Sequence, residues 1–213
     1  LSYYVDITKF ILQGSMITFK LYAVTIIFSI PLGILCAAAK LSKFKLVRFI
    51  LELYTWIFRG TPLLLQLFFT YFALPIIGIK FSQFQAAAIT FVFNYGAYFT
   101  EIFRGGISSI DRGQYEAAKV LGMNYRQTMT RIILPQATKR ILLPVSNEAI
   151  NLIKDTALVA AIGIGDILRA SKEVLTRDFV ISPFIIAALI YLLITSFVVL
   201  LFKKLEKKYS IYD

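Results

Sequence analysis

The chain has no histidine, one cysteine and few charges. Without imidazole there is no His-ligated metal site, no Ser-His-Asp triad and no imidazole acid–base chemistry. Cys36 alone cannot close an internal disulfide, so no disulfide scaffold is implied. A GxxxxGK(S/T) phosphate loop is also missing, which excludes the usual mode of ATP binding. Only 16% of the 213 residues are charged, against about a quarter in soluble domains. Those charges are mostly of one sign, 23 Lys and Arg against 12 Asp and Glu, for a net +11. In a soluble protein that excess would suggest nucleic acid. In a chain this apolar it reads as the positive-inside bias of cytoplasmic loops, and no nucleic-acid partner is expected.

What is present is apolar: 58% of residues are hydrophobic and the mean hydropathy is +0.74. That composition belongs to the membrane class. A spanning helix takes about 20 mostly apolar residues. Such stretches fall at 16–39, 50–75, 84–104, 141–165 and 180–202. The expectation is one all-α integral membrane domain over 1–213, with five transmembrane helices. Basic residues gather in 40–48, in 104–140 and after 202. The positive-inside bias puts these segments in the cytoplasm, the N-terminus outside and the C-terminus inside. The first 15 residues lack a signal-peptide pattern, and no internal repeat is visible.

One half-polar stretch, EAAKVLGMNYRQTMTRIILP at 116–135, interrupts this pattern. Asp111 reads as an N-cap with Gln114 as its capping-box partner. The helix should run to Leu121, with Gly122 in the left-handed position after it. Asn124 can cap a second helix, again with a glutamine, Gln127, three residues on. Tyr125, Met129, Ile132 and Ile133 then form one apolar face. Pro135 should end or kink that helix. Ala117 and Ala118 give the first helix a small face that lets another backbone approach. Two readings follow: a helix lying on lipid headgroups, with Lys119, Arg126 and Arg131 toward phosphates, or a helix docked into a groove on a cytoplasmic partner.

Glu116-Ala117-Ala118, then Gly122, then Ile132-Ile133-Leu134-Pro135 resembles the EAA loop of ABC-importer permease subunits. Phe58-Arg59-Gly60-Thr61-Pro62-Leu63-Leu64-Leu65-Gln66 and Tyr98-Phe99-Thr100-Glu101-Ile102-Phe103-Arg104-Gly105-Gly106-Ile107 are similar to segments of the polar amino acid uptake family of type I importers. So is Asn147 through Ala157, with Lys154-Asp155-Thr156, and Gly14 and Thr18 fit the family's start. The resemblance implies a multi-pass permease in a prokaryotic cytoplasmic membrane. Its coupling loop, 108–137, would dock on a separate ATP-binding cassette subunit through Glu116, Ala117, Ala118, Gly122 and Pro135. ATP and Mg would sit in that partner, and this chain would bind no cofactor. Closure of the nucleotide-binding subunits would drag the docked helices and rock the spanning ones. The other implied partners are a second permease chain, an extracytoplasmic amino-acid-binding protein, membrane lipid and the amino acid itself.

A charge at the bilayer centre costs at least about 2.5–3.5 kcal/mol, so such residues face protein or a water-filled path. Glu148 and Asp155 are seven apart and share a helix face; Asn147, Asn151 and Lys154 form an adjacent polar face. Glu148, Asp155, Asn151, Asn147 and Glu101 are the candidates for the substrate path, and Glu52, Arg59 and Lys154 are expected to be structural. Arg59 has Glu52 or an acid on another span as its expected partner, and Glu101 can pair with Arg104. Two carboxylates suit a basic amino acid such as arginine, lysine or histidine. If Lys154 and Asp155 neutralise each other, a neutral polar substrate such as glutamine follows. A self-contained channel or secondary transporter is disfavoured by the small number of spans and the lack of a repeat. Segment 163–178, with Ile167, Leu168, Val174 and Leu175, is expected as an amphipathic helix over the outer mouth.

Overall fold

The computed structural model describes residues 2–209, and its regular structure is all helical among those residues. The first helix, α1 (Ser2–Lys40), begins well before the predicted span at 16–39. Its early turns have a packing role. Ile7 and Ile11 are buried against Ile167, Val174 and Ile190. Gly14 is required there, because a Cβ would lie 2.6 Å from the backbone carbonyl carbon of Asp166. Gly14→Val is expected to lower stability by about 1–3 kcal/mol through overpacking, read as a fall in thermal midpoint.

The predicted span 50–75 is corrected to a bent pair, α2 (Lys45–Gly60) followed by α3 (Leu63–Phe68). The two halves meet at 105°. Pro62 supplies the reason: it has no N–H and pushes the preceding residue out of the helical region. Thr61 is accordingly extended, at φ −121° and ψ 149°. A π-turn (Phe69–Ala73) and a 3-10 turn (Leu74–Ile77) carry the second half onward.

The central helix is α4 (Gln83–Ser108), opened by a reciprocal capping box between Ser82 and Gln85. Its buried Phe91, Tyr95 and Phe99 pack with Leu21 of α1, Leu67 of α3, and Leu152. After it come α5 (Arg112–Val120), α6 (Tyr125–Thr128), a π-turn (Met129–Ile133) and α7 (Leu134–Asp155). Pro135 therefore does not end the helix. The π-turn bonds Leu134 N–H to Met129 O, five residues back, and absorbs the donor that proline lacks. The predicted span at 141–165 becomes α7 plus a 3-10 segment, Thr156–Ile162, closed by left-handed Gly163.

The segment expected over the outer mouth is helical, as α8 (Ile167–Asp178). Ile167 and Val174 face inward, but Leu168 is part-exposed. Asp166 caps α8 through the Leu168 and Arg169 N–H groups and also accepts from Tyr191 Oη at 3.1 Å. Tyr191 lies on α9 (Ser182–Tyr209), so one buried carboxylate ties the two helices. Tyr3 donates to Asp178 at 2.6 Å. Arg177 and the Tyr3 hydroxyl hold that carboxyl at about 2, so it stays charged at neutral pH.

Two helices, Ser2–Lys40 and Ser182–Lys208, are long and apolar enough to cross a membrane, and the bent pair makes a third if counted as one span. Their outward side chains include Ile27, Phe28, Leu35, Leu192, Leu193 and Phe197, all exposed. A belt of that kind suits lipid rather than water. α4 and α7, of 26 and 22 residues, are more polar, and polar groups on them turn inward: Thr90, Asn94, Thr100 and Ser146 are buried.

Lys40, expected in a cytoplasmic loop, is instead buried at the end of α1. Its Nζ lies 2.6 Å from Glu101 Oε1 and 3.0 Å from Thr55 Oγ1. Arg104 holds the other Glu101 oxygen at 2.7 Å, as the spacing predicts. The Lys40 and Glu101 side chains are 6% and 15% exposed. Removing one partner of a buried pair costs about 3–5 kcal/mol. Lys40→Met is expected to destabilise on that scale, and Lys40→Met with Glu101→Gln to recover part of it, measured by thermal unfolding in detergent.

Candidate functional site

The bend at Thr61–Pro62 opens a cavity of about 480 Å³. Thr61, Pro62 and Leu63 line one side, and Asn94, Tyr95 and Tyr98 of α4 line another. The polar face of α7 completes it with Glu148, Asn151, Lys154 and Asp155. The spacing of Glu148 and Asp155, two helical turns, puts both carboxylates on that wall. Tyr95 Oη donates to Asp155 Oδ2 at 2.7 Å, which fixes one oxygen and leaves the other available. The lining thus holds two carboxylates and one ammonium, and Arg59, stacked on Tyr98, acts on Glu148 from beside it.

The bend itself is held by amides. Asn94 Nδ2 donates to Phe58 O at 2.9 Å and to Gln66 Oε1 at 3.0 Å. Gln66 Nε2 donates to Phe58 O, Thr61 O and Thr61 Oγ1, at 3.0, 3.1 and 2.7 Å. Breaking a helix frees backbone carbonyls, which at membrane depth need protein or a cavity to receive them. Gln66 and Asn94 do so here. Thr90 Oγ1 of α4 donates to Thr70 Oγ1 of the π-turn at 2.9 Å, a second rung across the same interface.

Four of the sequence candidates meet at this cavity: Glu148, Asn151, Asp155 and Lys154. Asn147 is exposed and lies outside the lining. Glu101 is also outside it, occupied by Lys40 and Arg104. Arg59 forms no ion pair with Glu52; its guanidinium lies 5.5 Å from the Tyr98 ring centroid, a cation–π contact, and its charge acts on Glu148 of α7, an acid on another span. Tyr95, Tyr98 and Asn94 were not singled out from sequence. A lone amide with two tyrosines at i+1 and i+4, in an otherwise uncharged span, was the available signal.

The polar stretch forms a second surface. Asp111 caps α5 by accepting from Gly113 N–H at 2.7 Å. Gln114 is not its capping-box partner: its Oε1 accepts from Gln136 Nε2 at 3.1 Å, tying α5 to α7. After Val120 the chain closes as a Schellman motif, with Met123 N–H on Ala118 O and Gly122 N–H on Lys119 O. Gly122 takes φ +72°, the left-handed conformation that glycine adopts without penalty. Asn124 and Gln127 form the expected capping box, both bonds 2.9 Å. Of the predicted apolar face, Ile133 is buried, with Met129 and Ile132 packed beside it. Tyr125 is 77% exposed instead, because the π-turn shifts the helical register between it and Ile133. Ala118 is buried, Glu116 and Ala117 are exposed, and Val120 and Leu121 stand out at 87% and 76% exposure. Val120, Leu121 and Tyr125 thus flank Gly122 as exposed apolar side chains on a mostly polar segment.

A charge-lined cavity among helices with apolar outer faces, joined to a polar loop that offers apolar side chains, defines a membrane-embedded transport subunit. Residues 29–211 match the family described as binding-protein-dependent transport system inner membrane component. The arginine transport system permease protein ArtQ of Bacillus subtilis is 41% identical over 206 residues, covering 96% of this chain and 94% of that one. A protein of Rickettsia bellii, provisionally named the glutamine transport system permease GlnP, is 41% identical over 201 residues, covering 93% and 92%. A crystal structure described as an amino acid ABC transporter with histidines superposes at a TM-score of 0.89, with 34% identity and 96% of each chain covered. The chain belongs to this family and is an inner-membrane permease subunit of an amino-acid ABC importer.

Proposed function

We propose that this subunit carries a basic amino acid through the cavity between α2, α4 and α7, with Glu148 and Asp155 receiving the cationic side chain. The observation that carries this reading is the pair of carboxylates on the cavity wall, two helical turns apart on α7, of which Glu148 forms no ion pair among the described residues. In this reading Asn151 and the free Oδ1 of Asn94 would contact the substrate's α-carboxylate and α-amine. The names of the relatives divide between arginine and glutamine at equal identity, so charge in the cavity is the deciding consideration. Glutamine is the second reading, favoured if Lys154 cancels Asp155.

In the assembly we propose, the chain crosses the membrane five times: α1, the bent pair, α4, α7 with its 3-10 extension, and α9. The N-terminus lies outside and the C-terminus inside. A second permease chain, identical or related, closes the path, and two ATP-binding cassette subunits, which hold ATP and Mg, dock on α5 and α6. A binding protein delivers the amino acid at the outer face, near α8. The substrate is tested by competition in vesicles carrying the whole complex. Unlabelled lysine should inhibit labelled arginine uptake far more than glutamine does. Equal inhibition by glutamine would overturn the basic-substrate reading.

A further inference from the structure

A separate cavity of about 500 Å³ lies where α1 turns into α2, lined by Lys40, Leu41, Arg48, Glu52 and Arg104. Three helices each supply one cation to it: Lys40 from α1, Arg48 from α2 and Arg104 from α4. Glu101 already engages Lys40 and Arg104. The Arg48 side chain makes no hydrogen bond or ion pair among the described residues, and Glu52 one turn on forms no ion pair. With both acids counted, the cluster still carries one positive charge in excess, and Lys43 and Lys45 stand exposed in the adjoining turn.

The start of α2 adds a second, independent attraction for an anion. Its N-cap residue is Phe44, whose side chain caps nothing, and no acid stands in its first turn. The first N–H groups of a helix lack intrahelical partners and carry the positive end of its dipole, so an uncapped start favours a negative group. Beside it Phe44, Leu46 and Phe49 are exposed, an apolar surface next to the charged one. A free anion needs only the first of these surfaces. A phospholipid uses both, with its phosphate among the cations and its acyl chains along the phenylalanines.

We propose that this cavity is a binding site for the phosphate headgroup of an anionic phospholipid, with Arg48 as its main contact. Arg104 and Lys40 form the floor and Glu52 bounds the site on one side. A bound lipid would join the ends of α1, α2 and α4.

The test is native mass spectrometry of the purified whole complex, titrated with short-chain phosphatidylglycerol, with phosphatidylcholine, and with inorganic phosphate. The wild type should retain phosphatidylglycerol over phosphatidylcholine. Arg48→Gln should reduce retention about five-fold, the effect of roughly one basic residue at a membrane surface. Glu52→Gln should raise it. The Arg48 side chain has no hydrogen-bond or ion-pair partner among the described residues, so its replacement should leave the fold in place, which intact complex mass and thermal midpoint will verify. Undiminished retention in Arg48→Gln overturns the proposal, as does equal retention of phosphatidylcholine. Displacement of the lipid by inorganic phosphate at matched concentration would identify a soluble-anion site and overturn the lipid assignment.

Discussion

Glu148→Gln is expected to weaken arginine uptake by about 10- to 100-fold, read as a rise in apparent KM. That range corresponds to losing one hydrogen bond to a charged group, about 1.5–3 kcal/mol. The substitution keeps the side chain's shape and removes only its charge. Glu148 has a wall position in the cavity and forms no ion pair among the described residues, so the fold should survive. Asp155→Asn is a less clean experiment, because Tyr95 donates to that carboxylate and the change also disturbs α4. Glutamine uptake, if the wild type shows any, should fall little in Glu148→Gln. Unchanged arginine uptake would remove Glu148 from the path.

Leu121→Asp is expected to uncouple the permease from its ATPase. Val120, Leu121 and Tyr125 are 87%, 76% and 77% exposed, yet they belong to a polar segment and not to the apolar belt. Large apolar groups in such a place mark an interaction surface. A central apolar anchor at an interface is worth about 2 kcal/mol or more, roughly 30-fold in affinity. Leu121→Asp should therefore lose co-purification with the ATP-binding subunit by at least that factor, while the isolated permease keeps its thermal midpoint. Retained co-purification and normal uptake would return this segment to the other reading, a helix resting on lipid.

Much of the half-polar segment 111–135 was legible because its signals are local. The Asp111 and Asn124 caps and the Gly122 turn each depend on a few neighbouring residues, and each is present. Pro135 misled because a π-turn upstream can absorb the bond that proline lacks, and nothing in MTRII announces it. The bend at Thr61–Pro62 was readable as an interruption, but its angle was not. That angle depends on Gln66 and Asn94 meeting across 28 residues of chain. The carboxylates of α7 followed from helical period alone. The donor to Asp155, Tyr95, lies 60 residues away, and only tertiary packing brings its hydroxyl there. Lys40 was misplaced for the same reason: Glu101, 61 residues on, draws into the protein a lysine that charge counting assigns to water.

The central claim is that this chain forms a path whose energy arrives from another subunit. Amino-acid accumulation in proteoliposomes tests it most directly, with the permease reconstituted alone and with its ATP-binding subunit, binding protein and ATP. The account predicts arginine accumulation only in the complete system, and none from the permease alone with or without ATP. Accumulation by the permease alone would contradict it and make the chain a self-contained transporter.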